Sequence, residues 1–252
     1  MGRIIAIANQ KGGVGKTTTA VNLAACLAAA DRKVALVDLD PQGNATQGLG
    51  TDKNAADHTL YDVMVNDSPV LEAVRPTEVE NLSILPSNRD LVGAEVELMG
   101  LDRREFFLKE CITPLHDLFD YVFIDCPPSL SLLTVNGLVA AEGVIIPLQC
   151  EYYALEGLSE LLQTVIRIRD NLNPGLSVLG VLLTMYQHTN LSRQVVDDVR
   201  EHLGNKVFQT IIPRNVTLSE APSFGKPVIY YDLKSAGAQA YLALAREVIS
   251  RG

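Results

Sequence analysis

The chain lacks the features that mark several functional classes. Its 252 residues hold four cysteines, Cys26, Cys111, Cys126 and Cys150, far apart and without a C-x-x-C pair. That spacing gives neither a zinc site nor a disulfide framework, so reduced and mostly buried thiols are expected. The four histidines, His58, His116, His188 and His202, are as scattered, and none lies at metal-ligand spacing from another. No apolar run approaches the ~18 residues needed to span a bilayer. The chain enters a strand pattern at once, with no charged-then-apolar leader, and a cytoplasmic protein is expected. A net charge of −9 excludes a surface coated in basic patches. The charge is uneven, however. Residues 191–252 carry 8 Lys+Arg against 6 Asp+Glu, and residues 1–190 carry 13 against 24. This asymmetry points weakly to an anionic partner at the C-terminal part.

What is present is an apolar chain, 47% hydrophobic with mean hydropathy +0.14, long enough to bury a substantial core. One domain, residues 1–252, is expected. β-Branched runs at Arg3–Ala8, Val34–Asp38, Leu82–Leu85, Tyr121–Asp125, Gly143–Leu148, Val178–Leu183 and Val207–Ile211 alternate with helix-length segments. Strands without in/out alternation, separated by helices, predict an α/β fold: a mostly parallel twisted sheet with helices on both faces. Ligands of such sheets sit at the C-terminal strand ends. Helical stripes run through residues 154–172 and near Tyr241, Leu244, Ala245 and Val248. Residues 43–77, broken by Gly43, Gly48, Gly50, Asp52, Asn54 and Asp57, read as a loop-rich, ligand-responsive region with a short helix at Tyr61–Val65.

The polar motifs fall just after strands. Asn9-Gln10-Lys11-Gly12-Gly13-Val14-Gly15-Lys16-Thr17-Thr18 follows an apolar run and precedes an Ala/Leu-rich helix. Its glycines let successive N–H groups turn inward on an anion, Lys16 adds a point charge, and the Thr17 hydroxyl can ligate Mg²⁺. The P-loop pattern G-x-x-x-x-G-K-[ST] wants glycine at position 10; here Gln10 stands there, with a second lysine, Lys11, beside it. Two cations in one phosphate loop answer several negative charges. A dinucleotide fingerprint fits less well, because Thr18 would occupy its third glycine.

Asp38 and Asp40 end the second strand, on the side where phosphates lie. One can serve the Mg²⁺ shell while the other orients a water toward the γ-phosphate. Asp125 closes another apolar run, in the place of the aspartate that holds Mg²⁺ opposite the Thr17 hydroxyl. Pro213 and Asn215 follow the last strand pattern; the Asn amide can meet the adenine edge, and an ordinary Pro-Arg-Asn turn accounts for them equally well.

Together, Lys11–Thr18, Asp38–Asn44, Asp125–Ser129, Gln149–Gly157 and Ile212–Val216 resemble the chromosomal ParA (Soj) branch of the deviant Walker A ATPases, nearly end to end. The resemblance implies a P-loop NTPase fold and a weak ATPase that uses ATP and Mg²⁺ and forms a nucleotide-sandwich homodimer. Lys11 becomes the signature lysine reaching the partner's phosphates, and Lys16 the lysine acting in its own site. Gly12, Gly13, Val14, Gly15, Thr17 and Thr18 complete the cradle, Asp40 activates water, and Thr17, Asp38 and Asp125 surround the metal. It implies further that the ATP-bound dimer binds DNA non-specifically on the nucleoid and that a ParB-type centromere-binding protein stimulates hydrolysis. Relatives often carry basic residues where this chain has Thr217 and His188. Arg193, Arg200, Lys206, Arg214, Lys226, Lys234, Arg246 and Arg251 remain as candidate phosphate contacts, with Asp197 and Glu201 placed to pair with the first two. A MinD-like membrane ATPase is the alternative, but the end of the chain has no cationic cluster. An iron–sulfur carrier is disfavoured by the missing cysteine pair.

Overall fold

The computed structural model describes residues 2–53, 56–151 and 154–251. Tyr152 and Tyr153 of the Gln149–Gly157 motif lie outside them. Among the described residues, seven strands form one sheet: β1 (Arg3–Ile7), β2 (Val34–Asp38), β3 (Arg75–Pro76), β4 (Leu82–Leu85), β5 (Tyr121–Asp125), β6 (Gly143–Gln149) and β7 (Ser177–Thr184), in the order β3-β4-β2-β5-β1-β6-β7. Every pairing is parallel except that of β3, a two-residue edge strand ending in a proline. Proline cannot donate to a ladder, so an edge suits it.

Alternate residues of the six parallel strands feed two cores. Ile5, Ile7, Leu36 and Phe123 pack beneath α1 (Lys16–Ala28) and the C-terminal helix Ala236–Arg251. Ala6, Val37, Val122 and Ile124 face the opposite layer, which includes the helices Leu132–Ala140 and Ala154–Asn171. Burial on both faces explains why these strands show no polar alternation. In the register, Asp125 lies opposite Ile7 on one side and Asp38 on the other. The C-terminal ends of β1, β2 and β5 therefore share one edge, and three of the motifs meet there.

The expected strand Val207–Ile211 is a correction. This segment touches β7 through an isolated bridge, Val181 with Val207, and forms no continuous ladder. The reason is a contact distant in sequence: the Gln209 and Thr210 amides donate to the Glu247 carboxylate at 2.8 and 3.0 Å, while only the flanking Phe208 and Ile212 amides reach β7 carbonyls. The expected pairing of Arg193 and Arg200 with Asp197 and Glu201 also fails among the described residues. Arg193 donates to Asn190 Oδ1 and Arg200 to the Gln209 carbonyl. In the region read as loop, Asn44–Gly48 forms a short helix, α2, whose Thr46 amide and hydroxyl both donate to Asp38. No described helix is long and apolar enough to cross a membrane.

Beyond α2 the chain crosses the segment 221–225, glycine on glycine. Gly225 has φ +63°, and a Cβ there would lie 2.7 Å from the Gly50 Cα. Both the backbone and the close approach require glycine. Gly225→Ala should lower stability by roughly 1–3 kcal/mol, whereas Gly100→Ala, which meets open space, should stay within ~0.5 kcal/mol. Urea unfolding midpoints measure both; equal midpoints would contradict the steric account.

Candidate nucleotide site

The phosphate loop is pinned by the chain's own side chains. The Asn9 side chain donates to the Pro147 carbonyl of β6 at 2.7 Å and accepts from the Lys11 amide at 3.0 Å. Gly13 and Gly15 take left-handed φ values of 75° and 92°. From β7 the Thr184 hydroxyl donates to the Val14 carbonyl at 2.9 Å. Gly15 caps α1 with no side-chain hydrogen bond, and the first turn holds no acid. Its amides and the positive end of the helix dipole are left for an anion.

Lys16 is buried and donates from Nζ to the Lys11 carbonyl at 3.0 Å, arching over the loop. Burial lowers its pKa, while Asp125, the Cys126 thiol and Asp40 pull it back up. A cavity of about 270 Å³ runs along Gly13, Gly15, Lys16, Thr17 and Thr18 to Asp40, Asn44, Pro128 and Met185. A second cavity, of about 350 Å³, lies between Gly15, Thr18, Thr184 and the loop Ile212–Asn215, with Leu218 and Tyr241 also in its wall. The sites expected for phosphates and for base are thus adjoining spaces.

The three aspartates differ. Asp38 is fully buried, and its oxygens accept from the Thr46 amide and hydroxyl at 2.8 and 2.7 Å and from the Asp40 amide at 3.2 Å. Burial pushes its pKa up to about 6 against those hydrogen bonds. Asp40 accepts from the Gln42 amide at 2.9 Å and lines the phosphate cavity. Asp125 is also fully buried and has no partner in ordinary hydrogen-bond geometry, the Thr17 hydroxyl lying close by. Burial, then Asp38, raises its pKa well above the carboxylate range, with Thr17 and Lys16 pulling the other way. An orphaned buried carboxylate beside Thr17 fits a divalent cation. Asp38, already committed to Thr46, fits the outer shell of the metal better than direct ligation.

Lys11 does not line the phosphate cavity of its own chain. Its ammonium pairs with Glu151, the two side chains being 53% and 30% exposed. Asn215 lines the base cavity with Pro213, and its Oδ1 is buried without a partner. Gly237 makes room for it, since a Cβ there would come 2.9 Å from that oxygen. Of the basic candidates, Arg251 is tied into the fold. It donates to Leu179 and Val207, pairs with Glu247 at 2.8 Å and stacks over Phe208. His188 packs edge-on against Tyr186. Thr184, Met185, Thr46 and Gly237 escaped the sequence analysis because none sits in a recognisable spacing.

The unpartnered Asp125 has a consequence for stability. The unfolded chain releases this proton near pH ~4, the folded chain only at higher pH, so the metal-free protein loses stability as pH rises through that window. Asp125→Asn should therefore stabilise the apo protein by roughly 1–3 kcal/mol at neutral pH. Chemical unfolding in EDTA should show the gain shrinking toward pH ~4; a gain independent of pH would contradict the charge account.

Comparison with known proteins identifies the family. A family model described as an AAA domain matches residues 2–178. The chain is 56% identical over its full length to the chromosome partitioning protein ParA of Myxococcus xanthus, covering 89% of that protein. It is 54% identical to the sporulation initiation inhibitor protein Soj of Bacillus subtilis, with both chains covered completely. Among solved structures, a cobyrinic acid a,c-diamide synthase from Mycobacterium smegmatis with bound ATP analogue and magnesium aligns at TM-score 0.87 and 40% identity, over 99% of this chain and 95% of that one. The cell division ATPase MinD of Pyrococcus furiosus aligns at TM-score 0.83 and 31% identity over the whole of both chains. The strand-end site and these full-length matches lead to one conclusion: the chain belongs to the ParA/Soj family of chromosome-partitioning ATPases.

Proposed function

We propose that this chain is an ATP-gated switch whose site is completed by a second copy, and that the paired state holds non-specific DNA. The observation that carries this is the separation of the two lysines. Lys16 lines its own phosphate cavity, and Lys11 lies outside it on Glu151. An exposed ion pair of that kind is worth about 0–1 kcal/mol, so Lys11 can leave Glu151 at little cost when a partner's triphosphate is offered. Two triphosphates brought face to face need such a cation.

Within one chain the loop amides, Gly12 to Thr18, and Lys16 hold the phosphates, and Pro213 and Asn215 hold the base. Thr17 and Asp125 would hold Mg²⁺, with Asp38 behind them; when bound, the metal offsets charge on the β- and γ-phosphates. Asp40, fixed by the Gln42 amide, orients the attacking water. A single carboxylate is a modest catalyst, which leaves room for stimulation by a ParB-type partner. Arg193, Lys206, Arg214, Lys226, Lys234 and Arg246 are the basic side chains of the C-terminal quarter that remain for DNA phosphates, with Arg200 partly spent on Gln209. Such a protein is cytoplasmic and associates with the nucleoid. The MinD-like alternative has less support, because the C-terminal helix buries Tyr241, Leu244, Ala245 and Val248 in the core.

Retention on DNA and on anionic vesicles, measured with Mg-ATP and with Mg-ADP, tests this proposal. Retention on DNA should need ATP, fall steeply with salt and be lost in Lys11→Ala. Equal retention in ADP, full retention by Lys11→Ala, or capture by vesicles instead of DNA would overturn it.

A further inference from the structure

Between the phosphate and base cavities lies a junction formed by three residues that line both: Gly15, Thr18 and Met185. The first two belong to the phosphate loop and its helix. Met185 arrives from the end of β7, and its backbone is left-handed, φ +53°. An L side chain rarely adopts that conformation, and nothing in the local sequence Leu183-Thr184-Met185-Tyr186 signals it.

The neighbours show what the turn accomplishes. Thr184 holds the phosphate loop through the Val14 carbonyl at 2.9 Å. On the other side of Met185, the Tyr186 amide donates to the Ile212 carbonyl at 3.1 Å, and the Arg214 amide donates to the Tyr186 carbonyl at 2.9 Å. One residue thus separates the anchor of the phosphate loop from the anchor of the base loop. The left-handed turn lets both bonds form and leaves the Met185 side chain at the junction.

We propose that Met185 is a nucleotide-contact residue that seats the sugar. A nucleoside triphosphate with its base in one cavity and its phosphates in the other crosses the junction at the ribose. The flexible, polarisable thioether suits the apolar side of a sugar ring. Met185 then favours a nucleotide over a bare polyphosphate, which the loop amides and Lys16 bind without its help. This inference rests on the assignment of the two cavities to phosphates and base.

Met185→Gly keeps the left-handed backbone and removes the side chain, so it separates contact from structure. Titration calorimetry with Mg-ADP should show affinity reduced about tenfold, and the loss in ATP hydrolysis should fall on KM rather than kcat. Binding of magnesium tripolyphosphate should not change, and Met185→Leu should recover most of the ADP affinity. Parental ADP affinity in Met185→Gly overturns the inference, as does an equal loss for tripolyphosphate, which would mark Met185 as a structural joint. Met185→Ala repeats the truncation should the glycine variant fold poorly. Asn215→Ala is the control: if it weakens ADP binding while Met185→Gly does not, the sugar seat alone is wrong. If both leave ADP affinity unchanged, the base-cavity assignment fails as well.

Discussion

Two carboxylates, Asp38 and Asp125, are buried side by side where β2 and β5 end, opposite each other in the register. Their charge constrains everything around them. Burying one ion costs several kcal/mol even after relaxation, and two like ions in contact cost more. Asp38 meets the cost with hydrogen bonds from Thr46 and Asp40, and in doing so it fixes α2 against the sheet. Asp125 has none in ordinary geometry, and the nearby Thr17 hydroxyl and the buried Lys16 are what favour its charged form. Burial therefore favours the protonated carboxyls and a cation would favour their ionised form, while the bare N-terminus of α1 is open to an anion. Mg-nucleotide supplies both.

The second cation of the loop stands outside this balance. Lys11 is held by Glu151 at the surface, where solvent makes the pair weak. Its position beside a site that already has Lys16 makes sense as a reserve for phosphates of another chain. Asp40 is buried in the wall of its own phosphate cavity.

Much of this was legible in the sequence, for identifiable reasons. A glycine loop between an apolar run and an Ala/Leu-rich helix is a specific pattern, and Asp125 at the end of an apolar run gained its meaning from that loop upstream. The same logic failed at Val207–Ile211, where the pattern says strand but a distant carboxylate, Glu247, captures the amides. Arg251 looked like a free cation and is bound to Glu247 and two carbonyls. Contacts between distant segments decide such cases. Met185 shows the same limit differently, since its left-handed backbone comes from loops anchored on both sides and from no residue preference of its own.

The central claim is that Lys11 works in the partner's site while Asp40 works in its own. Mixing two inactive variants tests it directly. In a Lys11→Ala/Asp40→Ala heterodimer, one site combines an intact Asp40 with a Lys11 from the other subunit. An equimolar mixture should therefore recover ATPase activity that neither variant has alone, at most about a quarter of the parental rate, the value for random pairing with one complete site in each mixed dimer. A mixture no faster than either variant alone would contradict the account and return Lys11 to its own chain.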